Sequence, residues 1–203
     1  MGYEKVILFD GKDLSRWTQA HADKPPAERP AANWIIGDDG AMTVNDGNIV
    51  STETYGDAHI HVEFWLPYMP EAQGQARANS GVYVHGCYEI QVLDSYGVEN
   101  PTCSDCGGIY SLYAPLTNAN LKPEEWQTYD IYIYAPRFNE NGDIIEDGRL
   151  TLLLNGIVVQ NNVILHSHTP GGMTDYRVAE GPLMLQDHSG DRVRYRNIWF
   201  ERL

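Results

Sequence analysis

The sequence predicts an all-β fold, a two-sheet antiparallel jelly-roll sandwich with a groove on one concave face. Three observations predict it. Apolar residues recur mostly with period two, tight-turn signals interrupt them every few residues, and helical periodicity is scarce. The turns are Gly37-Asp38-Asp39-Gly40, Asn45-Asp46-Gly47, Asn141-Gly142-Asp143, Glu146-Asp147-Gly148 and Asn155-Gly156, where Gly and Asn accept positive φ. Between them the alternation marks about ten strands, a spacing typical of sandwiches and barrels. They cover 41–44, 49–51, 59–66, 81–85, 88–93, 128–135, 150–154, 157–163, 183–187 and 193–201. The intervening 21–32, 67–78 and 166–180 read as long loops, and 118–125 as one helical turn at most.

No linker or repeat divides the chain, so residues 1–203 are expected to form one domain, a length that one all-β sandwich fills without strain. The core needs no disulfide staples at this size. Cys87, Cys103 and Cys106 do not form a framework. Cys103-Ser104-Asp105-Cys106 lacks both the second pair of a zinc site and the βαβ context of a redox motif. With 14 Lys and Arg against 28 Asp and Glu, the net charge of −14 repels phosphate backbones and anionic lipid. Nucleic acid and membrane are therefore not expected partners, whereas a neutral sugar feels no such repulsion. No signal pattern opens the sequence as given, which reads as cytoplasmic, and a trimmed leader would alter that reading. Sheet edges leave a homo-oligomer open without requiring one.

Alternation assigns faces. Ile60, Val62 and Phe64 point to the core, and His59, His61, Glu63 and Trp65 point away. Ile90 and Val92 point inward, leaving Glu89 and Gln91 outward with Tyr83 and His85. Leu183 and Leu185 fit the core, with Met184, Gln186 and His188 on the other side. These outward positions carry rings, imidazoles and planar amides instead of the usual Thr, Ser and Lys. Ring faces stack on sugar C–H faces, and amides pair with hydroxyls. Glu89-x-Gln91-x-x-Asp94 adds paired acids, provided that a bulge near Leu93 returns Asp94 to the face of Glu89. Laminarinase-type glycosidases use a related spacing with three acids, and Gln91 stands where the middle one would be.

Several segments resemble a known family. They are Leu8 to Trp17, Arg77-Ala78-Asn79-Ser80-Gly81-Val82-Tyr83 (similar to an Arg-Gly-Asn-Ser-Gly motif, with Ala78 for Gly), Tyr88 to Tyr96, Gly108-Ile109-Tyr110, Glu125 to Asp130, Leu185-Gln186-Asp187-His188 and Arg196-Asn197-Ile198-Trp199. The chain is similar along nearly its whole length to the 3-keto-glycoside hydrolase/lyase family, also known as DUF1080. The resemblance implies a concanavalin A-like jelly roll. It also implies cleavage of glycosides already oxidised at C3, by C2 proton abstraction and 1,2-elimination, or net hydrolysis once water adds back. That chemistry needs a base, an electrophile for the enolate oxygen and help for the leaving group, but no carboxylate nucleophile.

Under this reading Glu89, Asp94, His188 and Arg77 are the candidate catalytic residues, with Glu89 the first choice of base or metal ligand. A turn-capping Asp94 and an Arg77 that merely pairs with Glu89 or Asp94 are the alternatives. Asn79, Tyr83, Gln91, Tyr110, Trp126 and Gln186 are the candidate substrate-binding residues. No organic cofactor is indicated, and a divalent metal ion remains an option. A divalent metal acting as Lewis acid would find its weak candidate ligands in His59, His61 and Glu63, alternating on one strand. A lectin-like binding module and a retaining glycosidase are the competing functions.

Overall fold

The computed structural model describes residues 5–188 and 190–203. In chain order the strands are β1 (Lys5–Phe9), β2 (Trp17–Gln19), β3 (Ile35–Ile36), β4 (Met42–Thr43), β5 (Ile49–Tyr55), β6 (Ala58–Trp65), β7 (Ser80–Val84) and β8 (Tyr88–Val92). The second half adds β9 (Trp126–Tyr134), β10 (Arg137–Phe138), β11 (Ile144–Glu146), β12 (Gly148–Leu154), β13 (Ile157–Leu165), β14 (Gly181–Leu185) and β15 (Arg194–Arg202). Among the described residues the only helical pieces are two 3-10 turns, Pro26–Glu28 and Gly74–Ala76, and no helix is long and apolar enough to cross a membrane.

The strands form two antiparallel sheets, as the periodicity predicts. The larger runs β13-β12-β9-β6-β15-β4-β3, with β1 also paired to β15, and the smaller runs β2-β5-β14-β7-β8. β10 and β11 make a separate hairpin. Sequence reading missed the short β1, β2, β3, β10 and β11, because two to five residues are too few to display a period.

The core lies between the sheets. Ile60, Val62 and Phe64 from β6, with Tyr129, Ile131 and Ile133 from β9, meet Val82, Val84, Ile90, Val92, Leu183 and Leu185 from the smaller sheet, all without exposure. Each such side chain contributes about 1.5–3 kcal/mol by leaving water. This packing commits the inner face of the smaller sheet, so that alternate residues of β7, β8 and the end of β14 point out from its other face.

That outer face is roofed. β8 is the edge strand, yet its edge is occupied. Gln91 N–H donates to the Gly108 carbonyl (2.9 Å) and Tyr110 N–H to the Glu89 carbonyl (3.1 Å), so that 107–110 runs alongside it. Glu89 N–H donates to Thr169 Oγ1 (2.8 Å), and Met173 N–H to the Gly86 carbonyl (2.7 Å), drawing the loop after β13 over the same end. Occupied edges discourage pairing with other chains, and here they also bring two loops up as walls.

Candidate functional site

A cavity of about 290 Å³ opens on the outer face of the smaller sheet. Tyr83 of β7 and Glu89 and Gln91 of β8 form its floor, with Asn79 just before β7 and Gln186 and His188 just after β14. Gln75, Tyr110, Pro170 and Gly171 form the walls. The size is at the small end of ligand pockets, about 300–1,000 Å³. The structure thus brings together seven residues expected from sequence: Asn79, Tyr83, Glu89, Gln91, Tyr110, Gln186 and His188.

Glu89 dominates the electrostatics. It is 4% exposed, and no Lys or Arg lines the cavity. Burial penalises the ionised form and raises its pKa to about 7, against which the nearby Tyr83 hydroxyl works in the opposite direction. Tyr83 is itself pushed well up, first by burial and then by the Glu89 charge. Its hydroxyl donates to the Pro170 carbonyl (3.2 Å) and accepts from Gln186 Nε2 (3.2 Å). Two glycines make room for this pair. A Cβ on Gly81 would lie 2.6 Å from Glu89 Oε1, and one on Gly171 2.8 Å from the Tyr83 hydroxyl oxygen. The carboxyl lies directly over Gly81 because nothing stands there.

Amides cluster around Gln91. Gln91 Nε2 donates to Gln75 Oε1 (2.9 Å) and, at 3.3 Å, to the Ser104 carbonyl. Asn79 Nδ2 donates to the Gln75 carbonyl (2.8 Å). Gln91 Oε1 is buried and has no partner. His188 sits at the rim, its side chain 40% exposed and its Nδ1 3.7 Å from Asp191 Oδ2.

Other expectations are corrected. Asp94 does not join Glu89. The β7–β8 pairing runs in register from Ser80↔Val92 to Val84↔Tyr88 without a bulge, and the strand ends at Val92. The Asp94 side chain is fully buried against Arg77, Nε to Oδ2 2.7 Å, and its Oδ1 accepts from Tyr96 N–H. The close charges are not aligned as a hydrogen bond, since both atoms lack one. Asp94 and Arg77 therefore form an ion pair and turn cap outside the cavity, not a second acid and an enolate clamp. His85 also leaves the expected face. β7 ends at Val84, and the positive φ of His85 (53°) and Gly86 (67°) turns the ring inward, where Nε2 meets the Gly56 carbonyl at 3.0 Å and burial lowers its pKa to about 4.

Trp126 lies on the outer face of the larger sheet beneath Arg196, 4.0 Å from guanidinium to ring centre, and cannot line the cavity. The three weak metal candidates share that face. His59 Nε2 and His61 Nδ1 both contact Asp130 Oδ1, at 3.1 and 2.8 Å, while Glu63 is held by Arg196 and, at 2.7 Å, by Asn197. Among the described residues no group of three or more His, Cys, Asp or Glu is arranged to hold a metal ion. The cavity itself offers one carboxylate and one imidazole among amides and phenols, a poor set for a divalent cation. All three cysteines are free thiols.

Sequence reading missed Gln75, Pro170 and Gly171. Gln75 sits in a polar loop with no pattern to distinguish it. Pro170-Gly171-Gly172 did carry a signal, a turn that lets backbone approach closely, but not what it approaches. A larger hollow of about 970 Å³ lies beside β10 and β11, lined by Phe138, Ile144, His166 and Tyr176 among others. It is mainly apolar and holds no buried unpaired acid, so the smaller cavity is the better candidate on chemical grounds.

Comparison with known proteins agrees with this architecture. A candidate glycosyl hydrolase from Parabacteroides distasonis is 36% identical, with a TM-score of 0.85 over 98% of this chain and 84% of that one. A second protein of the same description and organism is 21% identical (TM-score 0.70, 98% and 94% covered) and shares the fold. So does an alginate lyase, Aly36B, in a mutant form bound to alginate tetrasaccharide, at 10% identity (TM-score 0.53, 98% and 97% covered). No curated protein matches the chain. The profile of the 3-keto-alpha-glucoside-1,2-lyase-like domain matches residues 4–201, and the chain belongs to that family.

Proposed function

We propose that the protein is a carbohydrate-active enzyme that cleaves C3-oxidised glycosides by removing the C2 proton, with Glu89 as the base. The observation that carries this reading is the buried, cation-free Glu89 carboxyl, whose pKa of about 7 suits proton transfer near neutral pH. A carboxylate tied to Arg would be too weak a base. A solvated one would have no reason to titrate so high.

The 3-ketone acidifies the proton on C2. Glu89 takes that proton, and the electrons of the C2–H bond form the enolate on C2, C3 and the ketone oxygen. The enolate then collapses. The ketone re-forms, a C1–C2 double bond is made, and the C1–O bond to the aglycone breaks with its electron pair. The departing oxygen needs a proton, and the His188 imidazole at the rim is the cavity's other acid–base side chain. The Tyr110 hydroxyl and the second amide proton of Gln186 are the donors available for the enolate oxygen, since the Tyr83 proton goes to the Pro170 carbonyl. Addition of water to the double bond afterwards gives net hydrolysis.

Retaining glycosidases place two carboxyl groups about 5–5.5 Å apart. Here the lining holds one, because Asp94 is committed to Arg77, so the elimination reading is favoured. A lectin-like module would need the polar lining but not a carboxyl with a raised pKa. The test is incubation with methyl 3-keto-glucoside and with its unoxidised parent, each with and without a chelator. Release of methanol from the oxidised sugar alone supports elimination. Release from the parent alone sinks it, release from neither supports the binding module, and the chelator arm reads any need for metal.

A further inference from the structure

We infer that Gln91 is a specificity-determining residue that requires a hydrogen-bond donor from the bound sugar, and that Gln75 is the positioning residue that enforces this. The inference deepens the proposed function by orienting the sugar within the cavity.

It starts from an accounting of amide protons. Gln and Asn can each turn their amide end over end, so what an amide offers depends on what fixes it. Here the fixing groups are backbone carbonyls, which only accept. Gln75 Nε2 donates to the Ser104 carbonyl at 2.8 Å. A flipped Gln75 would set two oxygens against each other there, so its Oε1 must face the other way. That oxygen receives Gln91 Nε2 at 2.9 Å and Asn79 Nδ2 at 3.2 Å. Gln91 Nε2 directs its second proton to the same Ser104 carbonyl (3.3 Å), and Asn79 Nδ2 its own to the Gln75 carbonyl (2.8 Å). Flipping Gln91 would oppose oxygen to oxygen at two contacts.

Both Gln91 protons are thus consumed, and the side chain is left with an acceptor only. Gln91 is 1% exposed, lines the cavity floor, and its Oε1 has no partner. A buried, unsatisfied carbonyl oxygen costs free energy comparable to a lost hydrogen bond. A ligand O–H removes that cost, while a ketone, ether or fluorine at the same place adds a second acceptor and repels. The oxidised C3 position therefore cannot lie against Gln91. A hydroxyl-bearing carbon of the ring must, and the ketone turns toward the Tyr110 and Gln186 side. The Cys103–Cys106 turn acquires a role in this scheme, since its Ser104 carbonyl anchors two of the three amides.

The test uses C3-oxidised 1,5-anhydroglucitol, which has no aglycone at C1 to release. Each remaining hydroxyl is replaced in turn by hydrogen and by fluorine, and binding is read by calorimetry. Fluorine accepts but cannot donate. At one position both replacements are expected to weaken binding by about tenfold or more. Gln91→Met should abolish that position's discrimination. Gln75→Met should shrink that discrimination, because only the Ser104 carbonyl, at 3.3 Å, then still orients the Gln91 amide. Fluorine tolerated within about threefold at every position overturns the inference. So does discrimination that survives in Gln91→Met, or a parent compound that does not bind. Cleavage of methyl 3-keto-glucoside is a separate readout. Donor dependence without cleavage would sink the proposed function alone, and cleavage without donor dependence would sink this inference alone.

Discussion

Two outward faces of this sandwich look alike in sequence and differ entirely in state. On the larger sheet, β6, β9 and β15 display His59, His61, Glu63, Trp65, Trp126, Asp130, Tyr132, Arg196 and Trp199. On the smaller, β7, β8 and the end of β14 display Tyr83, Glu89, Gln91, Gln186 and His188. Each set is rich in rings, imidazoles, amides and acids. On the larger face the groups satisfy one another. His59 stacks on Tyr132 at 4.3 Å and His61 on Trp199 at 5.1 Å, and both imidazoles share Asp130. Lys5 lies 3.5 Å over Trp199, and Arg196 covers Trp126. A sugar arriving there would find ring faces already occupied. On the smaller face a buried acid has no cation, and a buried amide oxygen has no donor. Unusual composition marks both faces, and unmet valence marks only one.

The largest effect that sharpens this contrast is at Glu89. Glu89→Gln should lower turnover of a 3-keto-glucoside by about 10²–10⁴-fold, the range of a general base, with binding of the aglycone-free analogue retained. Gly81→Ala should come next. The added methyl meets Glu89 Oε1 at 2.6 Å, and displacing the base by about 1 Å costs about 10²-fold in kcat, while circular dichroism should show an intact fold.

The pH dependence has a definite sign. The Glu89 carboxyl titrates near its ordinary 4.5 in the unfolded chain and at about 7 when folded. Between those values the folded protein holds a proton that the unfolded chain has lost. Stability from this group is full below about pH 4.5, falls as pH rises, and levels off above about 7, a loss on the order of 3 kcal/mol. Denaturant titrations of wild type and Glu89→Gln across that range should converge at acid pH, with the variant gaining above pH 7. Activity should move oppositely, kcat/KM rising with an apparent pKa near 7 as the base ionises. The smallest effect belongs to the larger face. Asp130→Asn should change stability by about 1 kcal/mol or less and leave kcat/KM unchanged, and a large loss of activity there would break the contrast between the faces.

Much of the fold was legible in the sequence because alternation survives wherever a strand exceeds about five residues and one face is buried. β6 and β9 show it plainly, and the faces of Ile60, Val62 and Phe64 and of Glu89 and Gln91 follow. The candidate site was legible only as far as alternation reaches. Asp94 lies two residues past the end of β8, where the period no longer governs direction, and His85 lies one residue past β7 in a left-handed turn. The roof was illegible for another reason. Thr169, Pro170 and Gly171 approach Glu89 across some eighty residues of chain, and Gln75 binds Gln91 from a loop without pattern. Those loops exclude the water that would otherwise keep Glu89 an ordinary acid.

The most direct test of the central claim, that Glu89 removes the proton from C2, is the rate of methanol release from methyl 3-keto-glucoside carrying deuterium at C2. The account predicts slower release than from the protiated sugar under single-turnover conditions, with the label lost to solvent and both processes abolished in Glu89→Gln. Equal rates with deuterium retained in the sugar product would contradict it.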